Sequence, residues 1–400
     1  MYVHGMRDLF RYKGCVVEKI SIEPEVVHVK LRPDQRCKPR CSKCGAVMST
    51  NRVETRTATD MGLVTRTLTV IEYPAIQGRC RPCQRYETIT PPEIDSRRQV
   101  TFRFMRYASR LCQFMPVTRV ADLIAVSDSV VRRWDQRILE LDLPEPCLDN
   151  LAVLLVDEKS IGKRHQYVTL VMNGVTGELL HMAEGKKKES FESFFEQLTD
   201  SQKASIEAVG MDRSGSYYEV VREHLPKADI VFDRFHLMQN YNDVIDDVRR
   251  EAWREADEEH KSIIKGQRYI LFKNPENRTD EDNQKLQEVL EINSDLCTLE
   301  ILKTDLRRLW CFQYRAWAER WLTRWVDWAV ESQIPPLQRF ARGLLKAKDE
   351  VLNYCKHRIT SGRLEGFNNL VSRIIHRGCG IKNTDYLYAK LRQESLRCAA

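Results

Sequence analysis

The sequence predicts an α/β protein whose sheet is interrupted by an all-helical insertion and preceded by two small N-terminal domains. Two pairs of cysteines in a basic N-terminal segment predict a metal-stabilised first domain. From about residue 150, strand-like apolar runs that end in acidic residues alternate with helical patterns, which predicts a mixed sheet. A long, tryptophan-rich stretch with helical spacing separates these strands from a final helical segment.

Composition is that of a folded globular chain. The 400 residues are 42% hydrophobic and 30% charged, enough to bury a sizeable core. No apolar run approaches the roughly 18 residues that span a bilayer, and the start MYVHGMRDLF lacks the layout of a secretory signal. We therefore expect no membrane association and a cytoplasmic protein with access to DNA.

The positive charge is concentrated near the N-terminus. Residues 1–150 hold 25 Lys and Arg against 18 Asp and Glu, whereas the remainder holds 39 of each. A basic third on a neutral body indicates a module that binds a polyanion. A merely solvated basic surface is the alternative.

Four of the 13 cysteines form two C-x-x-C pairs. Cys41 and Cys44 form the first pair, and Cys80 and Cys83 form the second. Each pair can direct two thiolates from a tight turn toward a tetrahedral zinc ion. One pair alone would also suit a redox site, but two pairs in a basic segment favour one structural zinc in a zinc ribbon. Cys37 is a candidate spare ligand.

The distance between the two pairs exceeds the usual spacing of zinc ligands. The run RTLTVIEY, residues 66–73, alternates like a strand and could return the second pair to the first. Three basic neighbours would help to keep the thiols ionised: Lys43, Arg79 and Arg81.

Residues 118–141, TRVADLIAVSDSVVRRWDQRILEL, predict a helix-turn-helix. A first short helix would bury Ala121, Leu123 and Ile124, and a polar break with an N-cap would follow. The second helix would direct four apolar residues inward: Val130, Val131, Trp134 and Ile138. Its three arginines, Arg132, Arg133 and Arg137, would face outward to contact DNA phosphates or base edges. An ordinary helical hairpin fits this pattern nearly as well.

A proline-containing boundary, LPEP at residues 143–146, precedes the predicted sheet. Five strands follow, within NLAVLLVDEKS, QYVTLVMN, GELLHMAEG, SIEAVGMD and ADIVFDRFHL. The first and fourth strands can be neighbours, and they end in Asp157 and Asp212. Each acid alone could be a helix cap. Two carboxylates brought close together repel unless they share a proton or hold a cation, so the pair suggests a site for divalent metal.

A third acid occurs far downstream, in ITSGRLEGFNNLVSRIIHRG at residues 359–378. Glu365 lies in the first turn of a predicted helix and could point back toward the strand ends. A glutamate at this position can also simply complement the helix dipole.

Six of the seven tryptophans lie between about residues 240 and 350. Trp310, Trp317, Trp321 and Trp328 recur along one predicted helical stripe, with Trp253 and Trp325 nearby. Such a stripe is typical of a core or a subunit contact. Stacking on flipped DNA bases is the alternative.

Together, these motifs resemble DDE transposases of the ISL-three insertion-sequence family. The resemblance is carried by VDEKS at Asp157, DRSGSY at Asp212, DRFH at Asp233 and His236, and GRLEGFNN at Glu365, and it covers almost the whole chain. It implies a ribonuclease-H-like core, and divides the chain into a zinc ribbon (1–95), a helix-turn-helix (96–143), the first part of the core (150–240), a helical insertion (241–350) and the second part of the core (351–400).

The resemblance also implies the roles of individual residues. Asp157, Asp212 and Glu365 would hold two Mg²⁺ or Mn²⁺ ions that activate water, and then the freed 3′-hydroxyl, for phosphoryl transfer. Asp233 and His236 would form an accessory D-x-x-H pair, although His236 could instead be a capped core histidine. Arg213 and Ser214 are weaker candidates for contacts with the DNA backbone.

The implied partners are double-stranded DNA, as terminal inverted repeats and as target, and further copies of the chain in a dimer or higher oligomer on DNA. The implied location is the bacterial cytoplasm, in association with the nucleoid. A catalytically silent, transposase-derived DNA-binding regulator is the main alternative, but it would be expected to lose an acid of the triad. A redox or zinc signalling protein would not need acids at the ends of strands. A structure-specific nuclease would not need the two predicted DNA-binding domains at the N-terminus.

Overall fold

The computed structural model describes residues 7–62, 68–162, 166–213, 215–359, 362–378 and 381–399. The chain forms two compact units. The first contains residues 1–144 and 375–390, and the second contains residues 145–374 and 391–400. In the described part of the chain, no helix combines the length and apolar character that crossing a membrane requires.

The first unit begins with a twisted sheet. Its strands are β1 (Cys15–Ile22), β2 (Val26–Pro33), β3 (Ser49–Asp60), β4 (Leu68–Cys80), β5 (Arg85–Ile89), β6 (Ile94–Asp95) and β7 (Val100–Thr101). The strand order is β1-β2-β4-β3-β7-β6, with β5 also paired to β4. The long β3–β4 hairpin confirms the predicted strand from residue 68 onward, and residues 66 and 67 lie outside the described residues. This hairpin spans the distance between the two cysteine pairs.

Three helices follow the sheet in the first unit: α1 (Phe102–Leu111), α2 (Val117–Ile124) and α3 (Asp128–Asp142). Between α2 and α3, Ala125 adopts the left-handed conformation with φ 54°, and Ser127 stands at the N-cap of α3. The predicted pair of helices and its break are thus present. Leu123 was assigned wrongly to the buried face, because it is 60% exposed while Val120 supplies the missing core contact.

Two buried polar clusters stabilise the first unit. Asp60 is fully buried and accepts hydrogen bonds from the Arg103 guanidinium, the Tyr12 hydroxyl and the Thr101 hydroxyl. This cluster ties α1 to the sheet.

The second cluster is centred on Asp135 in the middle of α3. Its fully buried carboxylate accepts hydrogen bonds from the Ser109 hydroxyl at 2.6 Å and the Tyr386 hydroxyl at 2.5 Å. The Lys390 ammonium lies 3.1 Å from the same carboxylate and is itself buried. Residues from the far end of the chain therefore complete the helical part of the first unit.

The second unit contains a five-stranded mixed sheet: β8 (Val153–Gly162), β9 (Gln166–Asn173), β10 (Leu179–Glu184), β11 (Ala208–Met211) and β12 (Asp229–Phe232). The strand order is β10-β9-β8-β11-β12, with the first three strands antiparallel and β8, β11 and β12 parallel. The expectation that the first and fourth strands are neighbours is confirmed.

The sheet is followed and interrupted by helices. These are α4 (Lys188–Phe195), α5 (Asp200–Ser205), α6 (Gly215–His224), α7 (Arg234–Glu255), α8 (Glu258–Ile264), α9 (Arg268–Phe272), α10 (Asp280–Ile292), α11 (Ser294–Leu306), α12 (Arg315–Glu331), α13 (Pro335–Lys346), α14 (Lys348–Leu352), α15 (Tyr354–His357), α16 (Gly362–Arg377) and α17 (Thr384–Ala399). Short 3₁₀ turns occupy Asp8–Phe10, Pro275–Asn277 and Arg307–Cys311. One continuous apolar core joins the sheet to helices of the insertion.

The tryptophan pattern divides between the core and the surface. Trp325 is fully buried on α12, and its indole N–H donates to the Leu302 carbonyl. Trp317 and Trp328 are 63% and 48% exposed. Trp310 lies in a 3₁₀ turn outside α12. The core interpretation of the stripe is therefore wrong for Trp317 and Trp328, because the buried face of α12 is one residue further along, whereas the subunit-contact interpretation stays a prediction.

We predict that Asp135→Ala destabilises the protein by about 3–5 kcal/mol, because it leaves the Lys390 ammonium buried without its ion-pair partner. Urea unfolding followed by fluorescence and circular dichroism would measure the loss. Asp122→Ala, on the exposed side of α2, is the control and should change stability by less than about 0.5 kcal/mol. Equal stability of the two variants would show that the buried pair contributes nothing.

Candidate functional site

The first acid of the candidate site is positioned by strand β8. Val153, Leu154 and Leu155 pair with β11, and the strand then continues past Asp157 to Gly162 with β9 as its partner. The expectation that this strand ends at Asp157 is therefore wrong. What ends near Asp157 is the pairing with β11, so this carboxylate stands where the two strands separate.

The second acid follows β11 directly. Gly210 pairs with Leu155 in the parallel ladder, and Asp212 and Asp157 each lie two residues further along. The two acids are therefore level with each other across neighbouring strands. A Cβ on Gly210 would lie 2.7 Å from side-chain atoms of Leu155 and Ile359. Any larger residue at this position would therefore require the Leu155 or Ile359 side chain to move.

The D-x-x-H pair lies at the next strand end. Asp233 follows β12 and caps α7, with one carboxylate oxygen accepting the Phe235 backbone N–H at 3.0 Å. Its other oxygen lies 2.7 Å from Nδ1 of His236. Asp233 is thus a helix cap, which is the simplest role for an acid at the end of a strand. Its hydrogen bond to Nδ1 also fixes the orientation of the His236 ring.

The third acid of the predicted triad reaches the same place from the far end of the chain. Glu365 lies in the first turn of α16, while Ser361 just before the helix lies outside the described residues. One pocket of about 80 Å³ is lined by all five predicted residues, Asp157, Asp212, Asp233, His236 and Glu365. That volume has room for several water-sized occupants.

Burial and neighbouring charges shift the pKa values of Asp157 and His236 in this pocket. Burial raises the pKa of Asp157, and the neighbouring Asp212 carboxylate raises it further, while hydrogen bonds from Asn368 and the Glu158 N–H oppose the shift. The hydrogen bond to Asp233 raises the pKa of His236, and the Asp157 and Asp212 carboxylates add to that effect. A positive imidazolium is thereby favoured beside the acids.

The donor set suits a hard divalent cation. Carboxylate oxygens from three separate elements line one pocket, and Asn368 adds an amide oxygen that is buried without a hydrogen-bond partner among the described residues. Mg²⁺ and Mn²⁺ prefer such oxygen ligands. The three triad acids do not form a cluster with all ligand atoms within 4.8 Å in the described part of the chain. A wider spread is compatible with two ions about 4 Å apart.

A second acidic cluster is already neutralised by a lysine. Glu192, Glu223 and His224 have ligand atoms within 4.8 Å of one another. The Lys188 ammonium lies 3.3 Å from Glu192 and 2.8 Å from Glu223. This cluster is therefore explained as a surface ion-pair network.

The four cysteines of the predicted zinc site come together in the first unit. All four sulfurs of Cys41, Cys44, Cys80 and Cys83 lie within 4.8 Å of one another. The sulfur–sulfur distances of 4.0 Å between Cys41 and Cys83 and 3.5 Å between Cys44 and Cys80 bracket the roughly 3.8 Å expected of two thiolates bound tetrahedrally to zinc. Cys37 is outside this cluster.

Backbone geometry prepares the first cysteine pair for a metal. The backbone N–H groups of Cys44 and Lys43 lower the pKa of Cys41 to about 7. Gly45 closes the turn with φ 72°, and its N–H donates to the Cys41 carbonyl. At Cys41 the charge-stabilising groups are thus mainly backbone amides, whereas hydrogen bonds from the Cys44 thiol and burial raise the pKa of Cys83 to about 12.

The predicted DNA-binding arginines differ in exposure. On α3, Arg133 is exposed, whereas Arg132 and Arg137 are partly buried and Arg137 pairs with Glu140. Arg213 is exposed, and its guanidinium lies over Gly343 of α13 and outside the acidic pocket. Ser214 lies outside the described residues.

Three residues near the acids escaped the sequence analysis. Asn368 donates to Asp157, Phe235 lines the pocket with its ring 47% exposed, and Glu158 has its pKa raised by burial and by the Asp212 charge. Asn368 was the most accessible to prediction, because residues three apart share a helix face. Its position three residues after Glu365 indicates that it faces the same side of the helix.

The sheet, the five-residue pocket and the four-cysteine cluster are compatible with a protein of the DDE transposase class, and comparison with known families shows that class. The profile of the ISL-three DDE family, described as Transposase, matches residues 154–391. This match covers more than half of the chain, and the chain belongs to that family.

Similar proteins are named insertion-sequence transposases. The chain is 28% identical over 394 residues to the transposase for insertion sequence element IS1001 of Bordetella parapertussis, covering 97% of both chains. It is 24% identical over 415 residues to the transposase for insertion sequence element IS1557 of Mycobacterium tuberculosis, covering 94% of this chain and 91% of the relative.

We predict that Cys44→Ser abolishes stable zinc binding, because three thiolates and a hydroxyl hold zinc far less tightly than four thiolates. Elemental analysis of purified protein should give about one zinc per chain for the wild type and nearly none for the variant. Cys37→Ser is the matched control and should keep its zinc. Loss of zinc from Cys37→Ser instead would contradict the assignment of the four ligands.

Proposed function

We propose that the protein is a DNA transposase that binds the terminal inverted repeats of an insertion sequence and cleaves DNA at the element ends. It then joins the freed 3′-hydroxyl ends to target DNA by phosphoryl transfer that depends on two divalent metal ions. The observation that carries this proposal is the gathering of three acids, an Asp–His pair and a buried amide at one pocket of a chain that belongs to a transposase family.

The architecture supports assigning the second unit to the ribonuclease-H-like class. Three antiparallel strands precede two parallel strands, and the first strand lies at the centre of the order β10-β9-β8-β11-β12. Asp157 and Asp212 stand on the two adjacent central strands. A helical insertion then separates these strands from Glu365, which supports a core in two parts, although residues 375–390 of the expected second part (351–400) belong to the first unit.

We infer that Asp157, Asp212 and Glu365 hold two Mg²⁺ or Mn²⁺ ions. Bound there, the ions would activate the attacking oxygen and stabilise the departing 3′ oxygen. The acids themselves fix the position of the cations, and the imidazolium of His236 places a positive charge where a scissile phosphate would enter. Asp233 holds the ring of His236 in place.

The first unit supplies groups suited to binding duplex DNA. Its excess of basic residues favours the binding of a polyanion. The four-cysteine cluster would bind one structural zinc ion. Helix α3 exposes Arg133 to solvent. We infer that the zinc ribbon and helix-turn-helix recognise the inverted repeats, with Arg132, Arg133 and Arg137 near the DNA. Both ends of an element must be held together during transposition, so we infer a dimer or higher oligomer on DNA.

We predict that Asp157→Asn, Asp212→Asn and Glu365→Gln each lower the rate of end cleavage by about 10³-fold or more, because each weakens the binding of a metal ion in the transition state. Labelled duplexes carrying the flanking ends of the element would be incubated with Mg²⁺ and resolved on denaturing gels. Binding of the same duplexes should be unchanged.

Glu196→Gln, on the exposed surface of the same unit, is the control and should cleave as the wild type does. Cleavage by the wild type that survives all three substitutions would refute the assignment of the acids. If the wild type binds the ends specifically but does not cut in Mg²⁺ or Mn²⁺, the chain acts as a DNA-binding regulator instead.

We predict a pH-dependent role for His236. Because the hydrogen bond to Asp233 raises the pKa of His236, the imidazolium persists to higher pH than that of a free histidine and is lost as the pH rises through the raised pKa. The ratio of wild-type to His236→Asn cleavage rates should be about 10²-fold at low pH and should fall toward one at high pH. A constant ratio across this range would show that the charge of His236 is not used.

A further inference from the structure

We propose that Asn368 is a positioning residue that holds the Asp157 carboxylate in the orientation in which it binds metal. This inference rests on the proposed function, because it concerns a residue of the same pocket. Neither the acidic triad nor the D-x-x-H pair includes Asn368. Its side chain has one polar contact among the described residues, and that contact is to Asp157.

The Asp157 carboxylate is held by two hydrogen bonds. The Asn368 amide Nδ2 donates to Oδ2 at 2.5 Å, and the Glu158 backbone N–H donates to Oδ1 at 2.8 Å. With one donor on each oxygen, rotation of the carboxylate would break a bond. Each oxygen retains a further lone pair, which is available to a cation. The two donors therefore restrict the orientation of the ligand without consuming its capacity to bind.

The location of Asn368 links two of the three acids. It lies three residues after Glu365 on α16, so the two side chains share one face of the helix. One helix thus carries a proposed metal ligand and the group that orients a second ligand on β8. Both Asn368 and Glu365 line the pocket.

The orientation of the amide is determined by the carboxylate. The opposite orientation would direct the amide oxygen at Asp157 and bring two acceptors together. In the observed orientation the amide Oδ1 is buried without a hydrogen-bond partner among the described residues. Leaving a buried acceptor unsatisfied is unfavourable. The presence of an amide at this position is therefore better explained by the hydrogen bond that Nδ2 donates to Asp157 than by packing. Water on a pocket cation would offer Oδ1 a donor.

The test measures metal affinity directly and without DNA. Mn²⁺ binding to the zinc-loaded full-length protein would be followed by electron paramagnetic resonance for the wild type, Asn368→Ala and Asn368→Leu. Leucine keeps the branched shape of asparagine, although it is larger, and it donates no hydrogen bond. We expect both variants to bind Mn²⁺ about 10–100-fold more weakly, the usual effect of removing a group that orients a metal ligand. The Mg²⁺ concentration for half-maximal cleavage should rise in parallel.

Asn369→Ala is the matched control, because Asn369 is the next residue on the helix and is exposed. It should bind Mn²⁺ as the wild type does, and thermal unfolding would confirm that each variant is folded. Should Asn368→Ala unfold, Asn368→Leu and Asn368→Gln carry the test. The glutamine variant keeps an amide donor and should bind more tightly than the leucine variant.

Asp157→Asn separates this inference from the proposal on which it rests. If Asp157→Asn weakens Mn²⁺ binding but the folded Asn368 variants bind as tightly as the wild type, the positioning role is overturned and the proposed metal site stands. If Asp157→Asn binds Mn²⁺ as the wild type does, Asp157 is not a ligand and both proposals fall.

Discussion

The parallel pairing of β8 with β11 determines the geometry of the candidate site. It places Asp157 and Asp212 at the same height on adjacent strands, and it depends on Gly210, whose missing side chain makes room for Leu155 and Ile359. Two like charges at this separation are unfavourable without a cation. The fold thus creates repulsion between two carboxylates where these strands separate. The other elements of the site bring further charged or polar groups to the same place.

The remaining groups approach this pair from two directions. From β12 and α7 come Asp233 and His236, whose pKa is raised by its hydrogen bond to Asp233 and which, when protonated, offsets part of the negative charge. From α16 come Glu365, which adds a further carboxylate to the pocket, and Asn368, which donates to Asp157. The helices between residues 234 and 357 separate these two contributions along the chain. Because these helices pack into one core with the sheet, groups that are far apart in sequence line the same pocket.

Patterns of short range made most of the site predictable. Runs of apolar residues located the strands, and the acids that follow those runs indicated Asp157 and Asp212, whereas Asp233, His236 and the role of Glu365 came from the family resemblance. The two C-x-x-C spacings identified the four sulfurs that cluster in the structure. Features set by tertiary packing were not predictable in this way. The extension of β8 past Asp157 depends on β9, and the exposure of Trp317 and Leu123 depends on which helices happen to cover each face. The hydrogen bond of Asn368 requires β8 and α16 to meet.

The cluster around Asp135 has a consequence for the order in which the protein can mature on the ribosome. Asp135 lies in α3, but Tyr386 and Lys390 are made more than 240 residues later. While the intervening chain is still being synthesised, Ser109 alone of these partners is available to the buried carboxylate. The N-terminal helices therefore reach their final stability only once nearly all of the polypeptide has emerged, so a prematurely terminated chain would carry an incompletely stabilised pair of helices α2 and α3.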